Sequence, residues 1–236
     1  MMLGLRCCLL ATLAASAGAL DNGVGLVPAA GWSSWNVFGG GVTAEAVMGM
    51  ADVMVEKGAP VPVCPEGPRP CLSEWPHTDS QLLPGLDKLG YVYVGIDCGW
   101  DLRERAANGD LQPDPKKFPQ GIKHVADYVK SLGDGLLKLG IYSEHDKADC
   151  CGGPGMKGFE DQDAAFFKAN GIEYLKVDSC AGHGLNATTM YQDYANIRDA
   201  LNRTGSPICT FSWSWPRAPH SCACSDLHYT KYGYIK

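Results

Sequence analysis

The chain has 236 residues, a formal charge of −6, 45% hydrophobic and 19% charged residues. Its charges are interspersed and no basic block is present, which argues against nucleic acid as a partner. The length suits one domain, since barrels of alternating strands and helices often exceed ~200 residues as one unit.

Arg6 precedes an apolar stretch from Leu9 to Ala19, and Ala17-Gly18-Ala19 has the small-x-small form of a signal-peptidase site. Residues 1–19 are expected to be a signal peptide. The stretch is too short and too rich in Ala for a membrane anchor, so no membrane association is expected. A first strand is predicted near Ala30–Trp32. Thr43 is placed to cap a helix over Ala44–Lys57, with Ala46, Val47, Met50 and Met54 as its apolar stripe and Gly58 as its stop. A Pro-rich loop follows from Ala59 to Pro84. A loop this long needs a reason, and a staple between Cys64 and Cys71 or a substrate-shaping role would supply one. A strand over Tyr91–Asp97 comes next, then a turn-rich connection marked by Pro113, Pro115 and Pro119. The pattern then predicts a helix over Ile122–Leu132, a strand over Lys138–Tyr142 and a Gly-rich loop carrying Cys150 and Cys151. A helix over Asp161–Asn170, a strand over Tyr174–Asp178, a helix over Thr188–Asn202 and a strand over Ile208–Ser212 complete the series.

Strand and helix alternate, so the class is α/β with a parallel sheet. Five strands are legible. A closed (β/α)8 TIM barrel needs eight, so residues 20–236 read either as the first five units of an incomplete barrel or as an open sheet.

Nine cysteines remain after residue 19: Cys64, Cys71, Cys98, Cys150, Cys151, Cys180, Cys209, Cys222 and Cys224. In an oxidising compartment most should pair, and the odd count leaves one over. Asn186-Ala187-Thr188 and Asn202-Arg203-Thr204 are glycosylation sequons.

Three predicted strands end in polar side chains: Asp97, Tyr142 and Asp178. A carboxylate at the end of a buried strand is costly unless it has a partner or a task. Polar groups collected at that end of successive strands are how a barrel builds an active site. Lys176 and Asp178 point to one face of their strand. A structural salt bridge between them and a catalytic carboxylate supported by an ammonium are both open on these residues alone. His145-Asp146 and Cys150-Cys151 fit no closed zinc pattern. Gly152-Gly153-Pro154-Gly155 lacks the Lys-Ser/Thr pair of a phosphate cradle. No metal is expected.

Several segments together resemble one family. Gly31-Trp32-Ser33-Ser34-Trp35-Asn36, preceded by Leu20-Asp21-Asn22-Gly23, is similar to the opening of the melibiase-type α-galactosidases and α-N-acetylgalactosaminidases, retaining glycoside hydrolases. Segments 110–122, 137–143 and 174–180 resemble further family motifs in family order. The resemblance implies that Asp178 is the catalytic nucleophile, that Lys176, Asp97, Trp35 and Tyr142 bind the sugar, and that Cys150 and Cys180 form a disulfide. It implies an exo-acting enzyme on terminal α-linked galactose, with an α-galactoside as its partner and no cofactor. Location would be secreted or lysosomal/vacuolar, with a homodimer among the admissible assemblies. The chemistry agrees: a retaining glycosidase needs an ionised carboxylate nucleophile, and a neighbouring Lys ammonium favours that form.

Three departures from the family pattern stand out. The run Asp97-Cys98-Gly99-Trp100 has Cys98 where the family carries a second acid that holds sugar hydroxyls, so a carboxylate acceptor is exchanged for a weak thiol donor. Ser214 stands where galactosidases carry a Glu, as in the N-acetylgalactosaminidases, whereas Arg217 falls where that branch has a small residue. The Arg-rich motif that supplies the acid/base carboxylate has no counterpart, and Asp226 is out of register for it. Loss of general acid catalysis costs ~10²–10⁴ in rate, so a non-catalytic, sugar-binding fragment is the alternative of a different class. The natural product is expected to extend past Lys236.

Overall fold

The computed structural model describes residues 28–56, 84–180 and 187–212. Five strands, β1 (Gly31–Ser33), β2 (Tyr93–Gly95), β3 (Lys138–Glu144), β4 (Tyr174–Asp178) and β5 (Cys209–Ser212), form one sheet in the order β1-β2-β3-β4-β5. Every pairing is parallel. A doubly wound open sheet reverses its strand order at a switch point. This sheet does not reverse, which is the winding of a (β/α) barrel and removes the open-sheet alternative.

The helices fall between the strands: α1 (Trp35–Phe38), α2 (Ala44–Val55), α3 (Gly121–Ser131), α4 (Glu160–Ala169) and α5 (Ala187–Arg203). Each longer one has a sequence reason. Thr43 Oγ1 accepts the Ala46 amide at 3.2 Å and caps α2. On α3, Ile122, Val125, Ala126 and Val129 make one buried stripe at helical spacing. On α5, Tyr194, Ile197 and Leu201 do the same. The core lies between these stripes and the sheet, where Leu139, Ile141, Leu175 and Val177 are buried.

Observed boundaries depart from the predicted ones by one or two residues, with β3 the informative case. It runs to Glu144, two residues past the predicted end at Tyr142. β2 is shorter than predicted, Tyr93–Gly95, because the chain turns at Asp97–Trp100. Gly99 permits that turn. Its φ is +91°, and a Cβ there would lie 2.8 Å from Gly40 Cα. No helix among the described residues is long and apolar enough to cross a membrane. Cys64, Cys71, Ser214 and the proposed signal peptide lie outside the described residues.

Candidate active site

The C-terminal ends of β1 to β4 surround a cavity of about 520 Å³. Trp35, Asp97, Tyr142, Lys176, Asp178 and the Cys150–Cys180 pair all line it. The structure thus brings together every described residue that the sequence singled out. Trp35 stands at the mouth, 46% exposed, offering an indole face; the others form the walls.

Lys176 organises the polar wall. Its Nζ donates to Asp97 Oδ2 at 2.8 Å and lies 3.7 Å from Asp178 Oδ2. It also stands 5.1 Å from the Tyr142 ring centroid, on the ring face. The lysine's first partner is therefore Asp97. Asp97 is anchored on several sides and keeps acceptor capacity toward the cavity: Oδ1 accepts the Cys98 amide at 2.9 Å, Oδ2 accepts Ser33 Oγ at 3.3 Å, and its own amide donates to Ser34 Oγ at 2.9 Å. Asp178 Oδ1 accepts the Ser179 amide at 2.8 Å, leaving Oδ2 beside the ammonium on the cavity side. A carboxylate so held is aimed into the cavity, which is the geometry that nucleophilic attack on a sugar requires.

Tyr142 is buried at the back of the cavity. Burial, then the charge of Asp178, push its phenol upward, so it stays neutral. Trp100 Nε1 donates to the Tyr142 carbonyl at 3.0 Å and fixes the strand end from below.

Two disulfides tie the loops above the sheet. Cys150 is bonded to Cys180, joining the loop after β3 to the end of β4. Cys98 is bonded to Cys151, joining the loop after β2 to the loop after β3. The second bond corrects the sequence expectation for Cys98. Its sulfur is not a thiol and donates no hydrogen bond; the wall there is a disulfide. The neighbouring Cys151 was visible in the sequence, but which cysteine it meets depends on the approach of two loops 53 residues apart.

Glu144 is the residue that sequence reasoning missed. It is fully buried, pairs in register with Asp178, and its carboxyl lies within 4.8 Å of the Asp178 carboxyl. Glu144, Asp178, Cys150 and Cys180 converge closely enough for a metal ion. The two sulfurs are bonded to each other, however, so no thiolate is present and only two carboxylates remain. The missed signal was the alternation Tyr142-Ser143-Glu144, which puts residues 142 and 144 on one face once the strand is extended.

Away from the cavity, Arg105 holds Asp163 of α4 in a bidentate pair at 2.6 and 2.7 Å, anchoring the segment after β2 to the outer helix layer. Asp101 and Asp149 both crowd Gly153. Burial, then the Asp149 charge, push Asp101 up to about 7.

Comparison with known proteins fits this geometry. The alpha-galactosidase from Zygotorulaspora mrakii is 37% identical over 82% of this chain and 35% of its own length. The alpha-N-acetylgalactosaminidase from Gallus gallus is 37% identical over 84% of this chain and 43% of its own. The structure of the Saccharomyces cerevisiae alpha-galactosidase with raffinose superposes with a TM-score of 0.66 at 31% identity, covering 82% of this chain and 36% of that one. The chain spans between 35% and 47% of the length of such curated relatives. The sequence profile of the alpha galactosidase A, or melibiase, family matches residues 27–234, and the chain belongs to that family.

Proposed function

We propose that the protein is an exo-acting, retaining glycoside hydrolase that releases terminal α-linked galactose from oligosaccharides or glycoconjugates. Asp178 is the nucleophile and forms a covalent glycosyl-enzyme. One observation carries the reading: Asp178 ends β4 on the cavity wall, 3.7 Å from the Lys176 ammonium, with Asp97 and Tyr142 alongside. The carboxylate attacks the anomeric carbon as the glycosidic bond breaks, and water later hydrolyses the ester. Lys176 and Asp97 bind sugar hydroxyls, and the Trp35 indole takes the sugar's C–H face. The homologous yeast enzyme's complex with raffinose, an α-galactoside, supports the substrate class.

Among the described residues the cavity holds two carboxylates, Asp97 and Asp178, and Asp97 is engaged by Lys176 and Ser33. The general acid therefore comes from residues outside the described set. Residues 1–19 act as a signal peptide, residues 20–236 as the incomplete barrel, and the two disulfides suit a secreted or lysosomal/vacuolar location.

Ser214 and the N-acetylgalactosaminidase relative favour a second reading, α-N-acetylgalactosaminidase. Hydrolysis of the aryl α-galactoside and aryl α-N-acetylgalactosaminide by the natural gene product separates the two. A galactoside preference with retention of configuration, abolished by Asp178→Ala, is the expected result. Preference for the N-acetyl sugar would favour the second reading; binding without turnover by either would leave only a lectin-like fragment.

A further inference from the structure

Behind the Cys150–Cys180 disulfide lies a group for which the reaction above has no use. Glu144 closes β3 in register with Asp178 of β4. It shares a strand face with the cavity-lining Tyr142, yet does not reach the cavity itself. The disulfide covers it, with Cys150 Sγ 3.9 Å from Glu144 Oε2. This placement rules it out as the general acid, which must touch the leaving oxygen.

Its two oxygens have separate contacts. Oε2 accepts the Cys180 amide at 2.8 Å. Oε1 accepts the His145 amide at 3.2 Å and lies 3.6 Å from His145 Nε2. His145 is fully buried, and burial pushes its imidazole down toward the neutral form. Its Nδ1 faces Asp193 Oδ2 at 3.3 Å, and Asp193 also accepts Lys157 Nζ at 2.8 Å. Asp193 Oδ2 is already the acceptor of the Lys157 ammonium, so toward the ring it accepts as well and Nδ1 carries the imidazole hydrogen. Nε2 is then a bare acceptor, buried and without a hydrogen-bond partner. At 3.6 Å the two acceptors are not hydrogen-bonded, but two bare lone pairs aimed at each other in a buried site repel unless one carries a proton, and Glu144 is the group able to hold it. Burial, and the charge of Asp178, push Glu144 up to about 8, which leads to the same assignment.

Among the described residues no cation touches Glu144. Asp178 of β4 acts on it directly, with Tyr142, His145 and the Asp146 backbone beside it; Asp149 acts on Tyr142, and Asp193, Lys157 and Tyr194 lie against His145. Lys176 is held by Asp97 and Lys157 by Asp193.

We propose that Glu144 is a positioning residue for Asp178: it fixes the Asp178–Cys180 turn through the Cys180 amide and directs its own proton to His145 Nε2, so that no second charge repels the nucleophile from behind. The role rests on Asp178 being the nucleophile. A backbone anchor two residues from the reacting carboxylate matters because small misplacements of a nucleophile cost large factors in rate.

The test is the rate of covalent labelling of the natural gene product by 5-fluoro-α-galactosyl fluoride across pH 5 to 9. In this reaction a carboxylate oxygen of Asp178 bonds to the anomeric carbon as the C–F bond breaks and fluoride departs, so no general acid is needed. The wild type should label at residue 178 and slow at least threefold above pH 8, as Glu144 ionises beside Asp178. E144Q keeps the side chain neutral, with its carbonyl on the Cys180 amide and its NH₂ toward His145 Nε2, at the cost of the acceptor for the His145 amide. It should label within threefold of wild type at pH 6 and lose the alkaline fall. E144A should label at least tenfold slower at pH 6. If E144A does not fold, the E144Q profile still decides. A flat wild-type profile, an alkaline fall retained in E144Q, or a folded E144A labelling at the wild-type rate would each overturn the positioning role. Labelling elsewhere than residue 178 would instead sink the nucleophile assignment, and this role with it.

Discussion

Lys176 stands between two carboxylates, and its replacement exposes what each of them needs. In Lys176→Met, Asp97 loses its 2.8 Å charge-assisted bond and faces Asp178 without a counter-charge. Loss of one such bond should cost about 1–3 kcal/mol in urea unfolding, and galactose affinity should fall with it. Unchanged stability and affinity would mean that the lysine is a bystander. The sequence made this pairing half legible. Residues 176 and 178 share a face by the period of a strand, but the lysine's nearer partner, Asp97, lies 79 positions away. Local spacing does not report such a contact. Glu144 was hidden for a related reason: the polar trio Ser143-Glu144-His145 reads as a loop, whereas pairing with β4 holds Ser143 and Glu144 in the sheet.

At the level of elements, every predicted strand and helix within the described residues exists, because each carries a strong local pattern: the apolar stripe of α3, the Thr43 cap of α2, the run of β4. Disulfide connectivity is the contrary case, since it depends on which loops meet. Cys98–Cys151 closes a separation of 53 residues, and Cys150–Cys180 one of 30. Adjacent Cys150 and Cys151 thus link the loops after β2, β3 and β4 into one unit over the cavity. Replacing Cys98 and Cys151 together by Ala should lower stability by about 2–4 kcal/mol, measured by denaturant unfolding without reductant. Peptide mapping that finds Cys98 paired elsewhere would contradict the arrangement.

For the molecule as a whole, buried acids set the response to pH. Burial raises Glu144 to about 8 and Asp101 to about 7. The folded state keeps these protons where the unfolded chain has released them, so the stability they confer is present at low pH. It is lost as pH climbs from the unfolded values, about 4, through the folded ones. The slope approaches about 1.4 kcal/mol per pH unit for each proton retained. Thermal unfolding should therefore shift to higher temperature on acidification from pH 8 to 5; a shift the other way would place these carboxyls as ionised in the fold. Acid-favoured stability is compatible with the lysosomal or vacuolar location proposed above. The winding of the sheet, β1-β2-β3-β4-β5 without reversal, is the whole-molecule feature that the alternation of elements could not decide. Order in space is set by sheet pairing, not by local pattern. The central claim is the covalent role of Asp178, and trapping tests it most directly. The natural gene product is incubated with 5-fluoro-α-galactosyl fluoride, digested, and the modified peptide sequenced by mass spectrometry. The label should sit on Asp178 and be absent from Asp178→Asn; a label on another carboxylate, or none from an enzyme that turns over α-galactosides, would contradict the account.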